Sequence, residues 1–237
     1  MSAWYDRRYA KALGGPHAAA WGVFRVPESE LRLLGSPRGQ RILELGCGAA
    51  RWSIALARQR ARPTGLDLSI EQLARARQLQ REARVRFPLV RGNAERLPFR
   101  DGAFDIVFCD WGGLTFSDPM RSVPECARVL RGGGHLVFAT ASPLRYVSLD
   151  VPTDRQVRRF VRPYFGSHRI DLGSDAAVEF NPPYGVWVDL FRGSGFVIER
   201  LIETRPTEGQ RSSYLSREDA EWGRSWPLET IWKLRKE

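Results

Sequence analysis

Ile42-Leu43-Glu44-Leu45-Gly46-Cys47-Gly48-Ala49-Ala50 decides the fold. An apolar run stops, two glycines follow one residue apart, and a helical pattern begins with Trp52, Ala55 and Leu56 on one face. Glycines at such a junction let the backbone approach a ligand closely and adopt φ values that other residues avoid. On both sides of this stretch, short apolar runs alternate with helical patterns, the signature of a parallel sheet with crossover helices. The pattern predicts strands over 41–45, 64–66, 86–90, 104–109, 135–140, 196–202 and 230–235. Helices are expected over 2–13, 28–34, 49–60, 118–131, 183–192 and 216–224, with a further one starting at Ser69. Ser69 and Gln72 have the spacing of a capping box, and Asp118-Pro119 that of an N-cap followed by proline.

Two acids flank the glycine loop. Asp67 follows Gly46 by 21 residues, at the tip of the second strand, where a carboxylate can accept two hydrogen bonds from a ribose diol. Glu44 precedes the first glycine by two residues; it would repel a pyrophosphate but suits a ligand carrying an ammonium group. A dinucleotide fingerprint needs a third glycine where Arg51 stands. Taken alone, the glycine pair leaves a tight turn with no ligand as the alternative.

The chain has 237 residues, 43% hydrophobic and 27% charged, which are ordinary globular values for one large α/β domain. No apolar run approaches the roughly 20 residues of a membrane helix, so no membrane partner is expected. Cys47, Cys109 and Cys126 are odd in number and scattered, so neither a disulfide framework nor a zinc site is expected, and no metal at all. Together with the absence of an apolar leader, they point to the cytoplasm. The net charge of +10 comes from 34 Arg and only 3 Lys, spread along the chain; we read it as solubility chemistry rather than a polyanion footprint.

Five ordered segments carry a family resemblance. Glu44-x-Gly46-x-Gly48 looks like motif I of the class I S-adenosylmethionine-dependent methyltransferases, and Asp67 matches the acid ending their second strand. Gly92-Asn93-Ala94-Glu95-Arg96-Leu97-Pro98-Phe99 resembles their GDAExLPF segment. Phe104-Asp105-Ile106-Val107 matches their fourth strand, and Arg128 to Gly134 resembles their RVLRPGG turn. Ala50, Asn93 and Gly133 replace the family's usual Gly, Asp and Pro.

The resemblance implies a Rossmann-like sheet of seven mostly parallel strands, helices on both faces and the last strand antiparallel. It implies a single methyltransferase domain over 1–237: a helical cover at 1–39, a cofactor-binding half at 40–140, a substrate-side insertion at 141–182, and C-terminal helices and strands at 183–237. It implies S-adenosylmethionine as cofactor and S-adenosylhomocysteine as product. Gly46, Cys47 and Gly48 would line the methionine and ribose side, and Glu44 would hold the amino group. Asp67 would take the ribose hydroxyls and Leu68 would pack on the adenine. Asn93, Ala94 and Glu95 would meet the adenine edge, and Asp110 and Trp111 would face the methyl group.

The expected acceptor is a small molecule. RNA, DNA or protein acceptors stay open on account of the charge, as does a non-catalytic cofactor-binding partner. No oligomeric state is legible. Asn181-Pro182-Pro183-Tyr184 spells the tetrapeptide with which amino methyltransferases bind a target NH2 after their fourth strand, but it comes far too late in the chain. It is read as a proline-rich lead into a helix. His17 and His168 sit in the two segments expected to cover the site and are the candidates for a general base; His135 is read as structural.

Overall fold

The computed structural model describes residues 19–166, 168–172, 178–207 and 214–237. The expected helix over 2–13, the aromatic residues Trp4, Tyr5 and Tyr9, and His17 lie outside the described residues. The chain enters through a small hairpin, β1 (Ala20–Trp21) and β2 (Val26–Pro27), and a single turn, α1 (Glu28–Leu31). That turn is shorter than expected because Arg32 takes a left-handed φ of 50° and closes it. Then come β3 (Arg41–Leu45), α2 (Arg51–Arg58), β4 (Arg62–Asp67), α3 (Ile70–Ala83), β5 (Leu89–Arg91) and β6 (Phe104–Asp110). Next are α4 (Gly113–Phe116), α5 (Pro119–Val129) and β7 (Leu130–Ala141).

The expected insertion holds a short helix, α6 (Pro143–Val147), and two small antiparallel hairpins. These are β8 (Leu149–Asp150) with β9 (Arg155–Gln156), and β10 (Arg169–Asp171) with β11 (Val178–Phe180). The chain closes with α7 (Tyr184–Gly193), β12 (Phe196–Thr204), α8 (Arg217–Trp222) and β13 (Glu229–Lys236).

Seven strands form one sheet in the order β12-β13-β7-β6-β3-β4-β5. β7, β6, β3, β4 and β5 pair in parallel, while β13 runs against both β7 and β12. This is the Rossmann-like sheet with an antiparallel last strand expected from the sequence. The central strands are apolar on both sides because both faces are covered. Leu43, Val107, Cys109, Leu136 and Phe138 point to one face, under Val123 and Cys126 of α5 and Trp187 and Phe191 of α7. Ile42, Ile106, Phe108, Val137 and Ala139 point to the other, under Trp52 and Leu56 of α2 and Trp21 of the N-terminal hairpin. Trp21, Trp52 and Phe108 form an aromatic triad with centroids 4.8 to 6.0 Å apart.

β7 starts at Leu130, five residues before the predicted His135: Leu130 already pairs with Phe104, and the glycine run 132–134, with Gly133 at φ +69°, is taken up as an irregularity in the β6–β7 register. Strand order reverses between β3 and β6, so a crevice opens at the carboxyl ends of these two strands, the ligand position in open α/β sheets.

Candidate cofactor and methyl-transfer site

The glycine loop leaves β3 at Gly46 (φ +71°) and enters α2 through Gly48 (φ +52°) and Ala50 (φ +55°). The two glycines serve different ends. A Cβ on Gly46 would overlap the backbone amide of Gly113, so the absent side chain lets the β3 loop press against the loop after β6. A Cβ on Gly48 would meet only the Gln72 side chain, at 3.7 Å, so this residue borders open space. Ala50 occupies the family's third glycine position in a left-handed conformation, at a cost of about 1 kcal/mol.

Cys47 is fixed in the loop through its backbone. Its N–H goes to the Leu66 carbonyl at 2.9 Å and its carbonyl accepts from Ala50 N–H at 2.7 Å. Its buried side chain packs with Leu73 and Ala76 of α3.

Asp67, at the strand tip, is half-buried and already engaged. Its Oδ2 accepts from Gly48 N–H at 2.7 Å and its Oδ1 from Ser69 N–H at 2.8 Å. The carboxylate therefore ties the glycine loop to the start of α3. Burial raises its pKa, against the pull of those N–H groups. The Ser69 hydroxyl caps α3 by accepting from Gln72 N–H, as the sequence predicts, but Ser69's own N–H is satisfied by Asp67. Next to it Leu68 is 58% exposed, an apolar platform beside the acid.

On the adjacent strand exit, Asn93 is exposed and its Oδ1 accepts from Glu95 N–H at 2.9 Å. Ala94 is buried against the core. The Glu95 carboxylate is directed to α5, accepting from Asp118 N–H at 3.0 Å and facing Arg121 at 3.6 Å.

Glu44 is buried, and its Oε2 accepts from both the N–H and the hydroxyl of Ser53, at 2.9 and 2.5 Å. Burial pushes its carboxyl up to about 8, partly offset by the Ser53 bonds. Asp110, at the tip of β6, accepts from Gly22 N–H at 2.8 Å and from the Trp52 indole at 3.2 Å, and burial pushes it up to about 6.

Trp111 follows with φ +53°, a strained position for a residue with a Cβ and one that clusters at functional sites. Its N–H bonds Ala139 O at 3.1 Å and its indole Nε1 donates to Glu229 Oε2 at 2.8 Å. Glu229 is fully buried and also accepts from Val23 N–H at 2.8 Å and Thr204 Oγ1 at 2.6 Å. Burial brings its carboxyl to about 7. Gly22 and Val23 of the β1–β2 turn are thereby fastened across the tips of β6 and β13.

Sequence reasoning missed Glu229; its only local signal is an acid opening the strand that continues with Thr230-Ile231-Trp232. It also missed Ser53, the partner of Glu44.

The Arg145 guanidinium of α6 lies 5.2 Å from the Trp111 ring centroid and 5.8 Å from that of Tyr146. Arg145 and the Tyr146 hydroxyl both approach Glu179 Oε2. Of the two histidines expected to cover the site, the described one, His168, is exposed where the β10–β11 hairpin begins, and its carbonyl accepts from Asn181 N–H. His135 approaches Glu199 at 3.4 Å on the sheet. Asn181 spends both ends of its amide inside the fold: Nδ2 donates to Ala141 O and Oδ1 accepts from the Trp187 indole. With Pro183 as N-cap of α7, the tetrapeptide is the helix lead that the sequence predicts.

The crevice presents carboxyl groups at Glu44, Asp67 and Asp110, an exposed Leu68 and an open Gly48. Those acceptors fit a ligand bearing a diol, an ammonium and a positively charged sulfur, and they disfavour a diphosphate. Among the described residues, no cluster of three or more His, Cys, Asp or Glu side chains is arranged to hold a metal.

Comparison with known proteins agrees with this chemistry. A family of methyltransferase domains matches residues 43–138. The demethylmenaquinone methyltransferase of Listeria welshimeri is 34% identical over 187 residues, covering 73% of this chain and 76% of that protein. Its counterpart in Lactiplantibacillus plantarum is 40% identical over 106 residues, 43% of this chain and 45% of that one. An S-adenosylmethionine-dependent methyltransferase from Mesorhizobium loti shares the fold with a TM-score of 0.72 at 24% identity, over 88% of this chain and 96% of that one. The chain belongs to the class I S-adenosylmethionine-dependent methyltransferases, and S-adenosylmethionine is its cofactor.

Proposed function

We propose that this methyltransferase acts on a small molecule, in a pocket between the tips of β6 and β7, the β1–β2 turn and α6. The observation carrying this reading is the roof over the methyl end. Asp110 and Glu229 hold Gly22 and Val23 across the strand tips, and Arg145 and Tyr146 close the other side of Trp111. A roofed site admits a compact acceptor and hinders a duplex or a folded protein. The relatives named for demethylmenaquinone support a small acceptor.

The cofactor supplies an electrophilic methyl group on a sulfonium centre. Around it, Glu44 would ionise to hold the amino group, and Asp67 would accept from the ribose hydroxyls on lone pairs left by Gly48 and Ser69. Leu68 would underlie the adenine, and Asn93 would meet its amino edge beside Ala94 and Glu95. Gly46 and Cys47 would act through the backbone course they set. Asp110 and Trp111 would border the methyl end, excluding water and fixing the line of attack. Arg145, stacked on the Trp111 indole, would favour an acceptor that reacts as an anion.

The single sheet and the 43–138 match support reading the chain as one domain, with 141–182 shaping acceptor choice. Three free cysteines support a cytoplasmic setting.

The test uses cofactor labelled in its methyl group with a panel of demethylated quinols, phenols, small amines and RNA. Label is expected in an extractable small molecule. Label in RNA or protein, with none in the small-molecule fraction, overturns the reading.

A further inference from the structure

Within the insertion, Arg158-Arg159-Phe160-Val161-Arg162-Pro163-Tyr164-Phe165 lies on the surface. Phe160 is 76% exposed and Phe165 82%, and Val161 beside them is also exposed. Large apolar side chains grouped in this way mark a surface that something covers. The same segment concentrates charge. Five arginines and no Asp or Glu stand between positions 155 and 169, against the even scatter of arginine that the whole sequence suggests. Arg155 acts on Glu218, and Arg162 bonds Leu149 O at 2.8 Å, whereas Arg158 and Arg159 are exposed beside the phenylalanines. Arg158 also stacks at 5.7 Å on Trp226, a further part-exposed aromatic.

We propose that this basic-aromatic face, Arg158 to Phe165 with Trp226, docks on an anionic lipid surface. Charge complementarity selects the partner. Arginines attract acidic headgroups, while Phe, Val and Trp enter the boundary between headgroup and acyl chain. Single-stranded nucleic acid also takes arginine and aromatics, but here Phe160 borders an opening that reaches the aliphatic side chains of Leu144 and Val147. A cavity of about 310 Å³ lies under the patch, lined by Leu144, Val147, Phe160, Arg162 and Tyr164. Leu144 and Val147 belong to α6, the helix whose Arg145 and Tyr146 meet Trp111, so the patch continues toward the acceptor side. The expectation of no membrane partner rested on the lack of a spanning segment. A peripheral surface needs none, and no helix among the described residues is long and apolar enough to span.

The test is co-sedimentation of the full chain with vesicles of phosphatidylcholine and phosphatidylglycerol in a 3:1 ratio, against phosphatidylcholine alone. Binding to the anionic vesicles is expected, weakening with salt. Replacing Phe160→Ser with Phe165→Ser should weaken it at least tenfold while S-adenosylhomocysteine affinity is retained. Arg158→Ala with Arg159→Ala, both on exposed positions, should weaken it by about fivefold per arginine. Absence of binding to anionic vesicles overturns the proposal, as does equal binding by wild type and both variants. Tighter binding to single-stranded RNA than to vesicles, lost in the same variants, overturns it in favour of nucleic acid. None of these readouts requires methyl transfer, so failure here is distinct from failure of the proposed activity.

Discussion

Trp111 and Glu229 stand 118 residues apart in the chain and meet in a 2.8 Å hydrogen bond from indole Nε1–H to carboxylate Oε2. Through it the tip of β6, the start of β13 and the N-terminal hairpin become one structure. The bond also holds Trp111 in its left-handed backbone position, a conformation that persists only where its surroundings over-determine it.

Glu229→Ala should be among the most destabilising single changes in the protein. It strands the Trp111 indole, Val23 N–H and Thr204 hydroxyl, buried donors that cost about 1–3 kcal/mol each when unpaired. Urea unfolding should show a loss of about 3 kcal/mol or more; a loss below 1 kcal/mol would mean that the three donors find other partners.

Gly22→Ala tests the other side of the same junction. Gly22 sits at φ +68° with the Glu229 carboxylate where a side chain would be. The variant should lose about 2 kcal/mol or release the hairpin, seen as faster proteolysis near residue 22. Unchanged stability and protease resistance would show that the hairpin is not fastened there.

Most of the scaffold was legible because its signals are local. Glycine turns, caps at Ser69 and Asp118 and the apolar run within Phe104–Asp110 each depend on a few neighbouring residues. What escaped depends on long-range meetings. Gly46 is glycine because of Gly113, not because of a ligand alone. Cys47 stands inside the motif, yet its side chain joins Leu73 and Ala76 of α3. Nothing local announces that the two Asp67 oxygens accept from Gly48 and Ser69. The 141–182 segment resisted reading because its strands are two or three residues long, too short for a period to register.

Stability should fall as pH rises from about 5 to about 8. Burial raises Glu44 to about 8, Glu229 to about 7 and Asp110 to about 6, so the folded chain keeps protons that the unfolded chain releases near pH 4. The stability carried by these neutral forms is complete below the unfolded values and lost as pH climbs through the folded ones. At the acid end the signs reverse. Arg41 holds Asp105 far below the usual carboxyl range and Arg128 lowers Glu125, so their contribution disappears as pH falls below about 4. Thermal melting of the ligand-free protein should therefore peak near pH 5; a melting temperature higher at pH 8 than at pH 5.5 would contradict this.

Cofactor binding at pH 7 should release protons. An ammonium group meeting Glu44 requires the carboxylate, and the buried acid is largely protonated at that pH. Calorimetry in buffers of different ionisation heat should report net release, and affinity should rise from pH 6 to pH 8. Glu44→Gln should abolish the Glu44 share of this release and weaken binding roughly ten- to a hundredfold. Identical proton counts for wild type and variant would remove Glu44 from the amino-group site.

The central claim is that the cofactor lies in the acid-lined crevice at the ends of β3, β4 and β6. Titration calorimetry of S-adenosylhomocysteine into the wild type and Asp67→Asn tests it most directly. One site per chain is predicted for the wild type, with affinity lower in the variant by roughly five- to a hundredfold, the scale of a lost charge-assisted hydrogen bond. A folded wild type that gives no binding heat, or a variant that binds as tightly, contradicts the account.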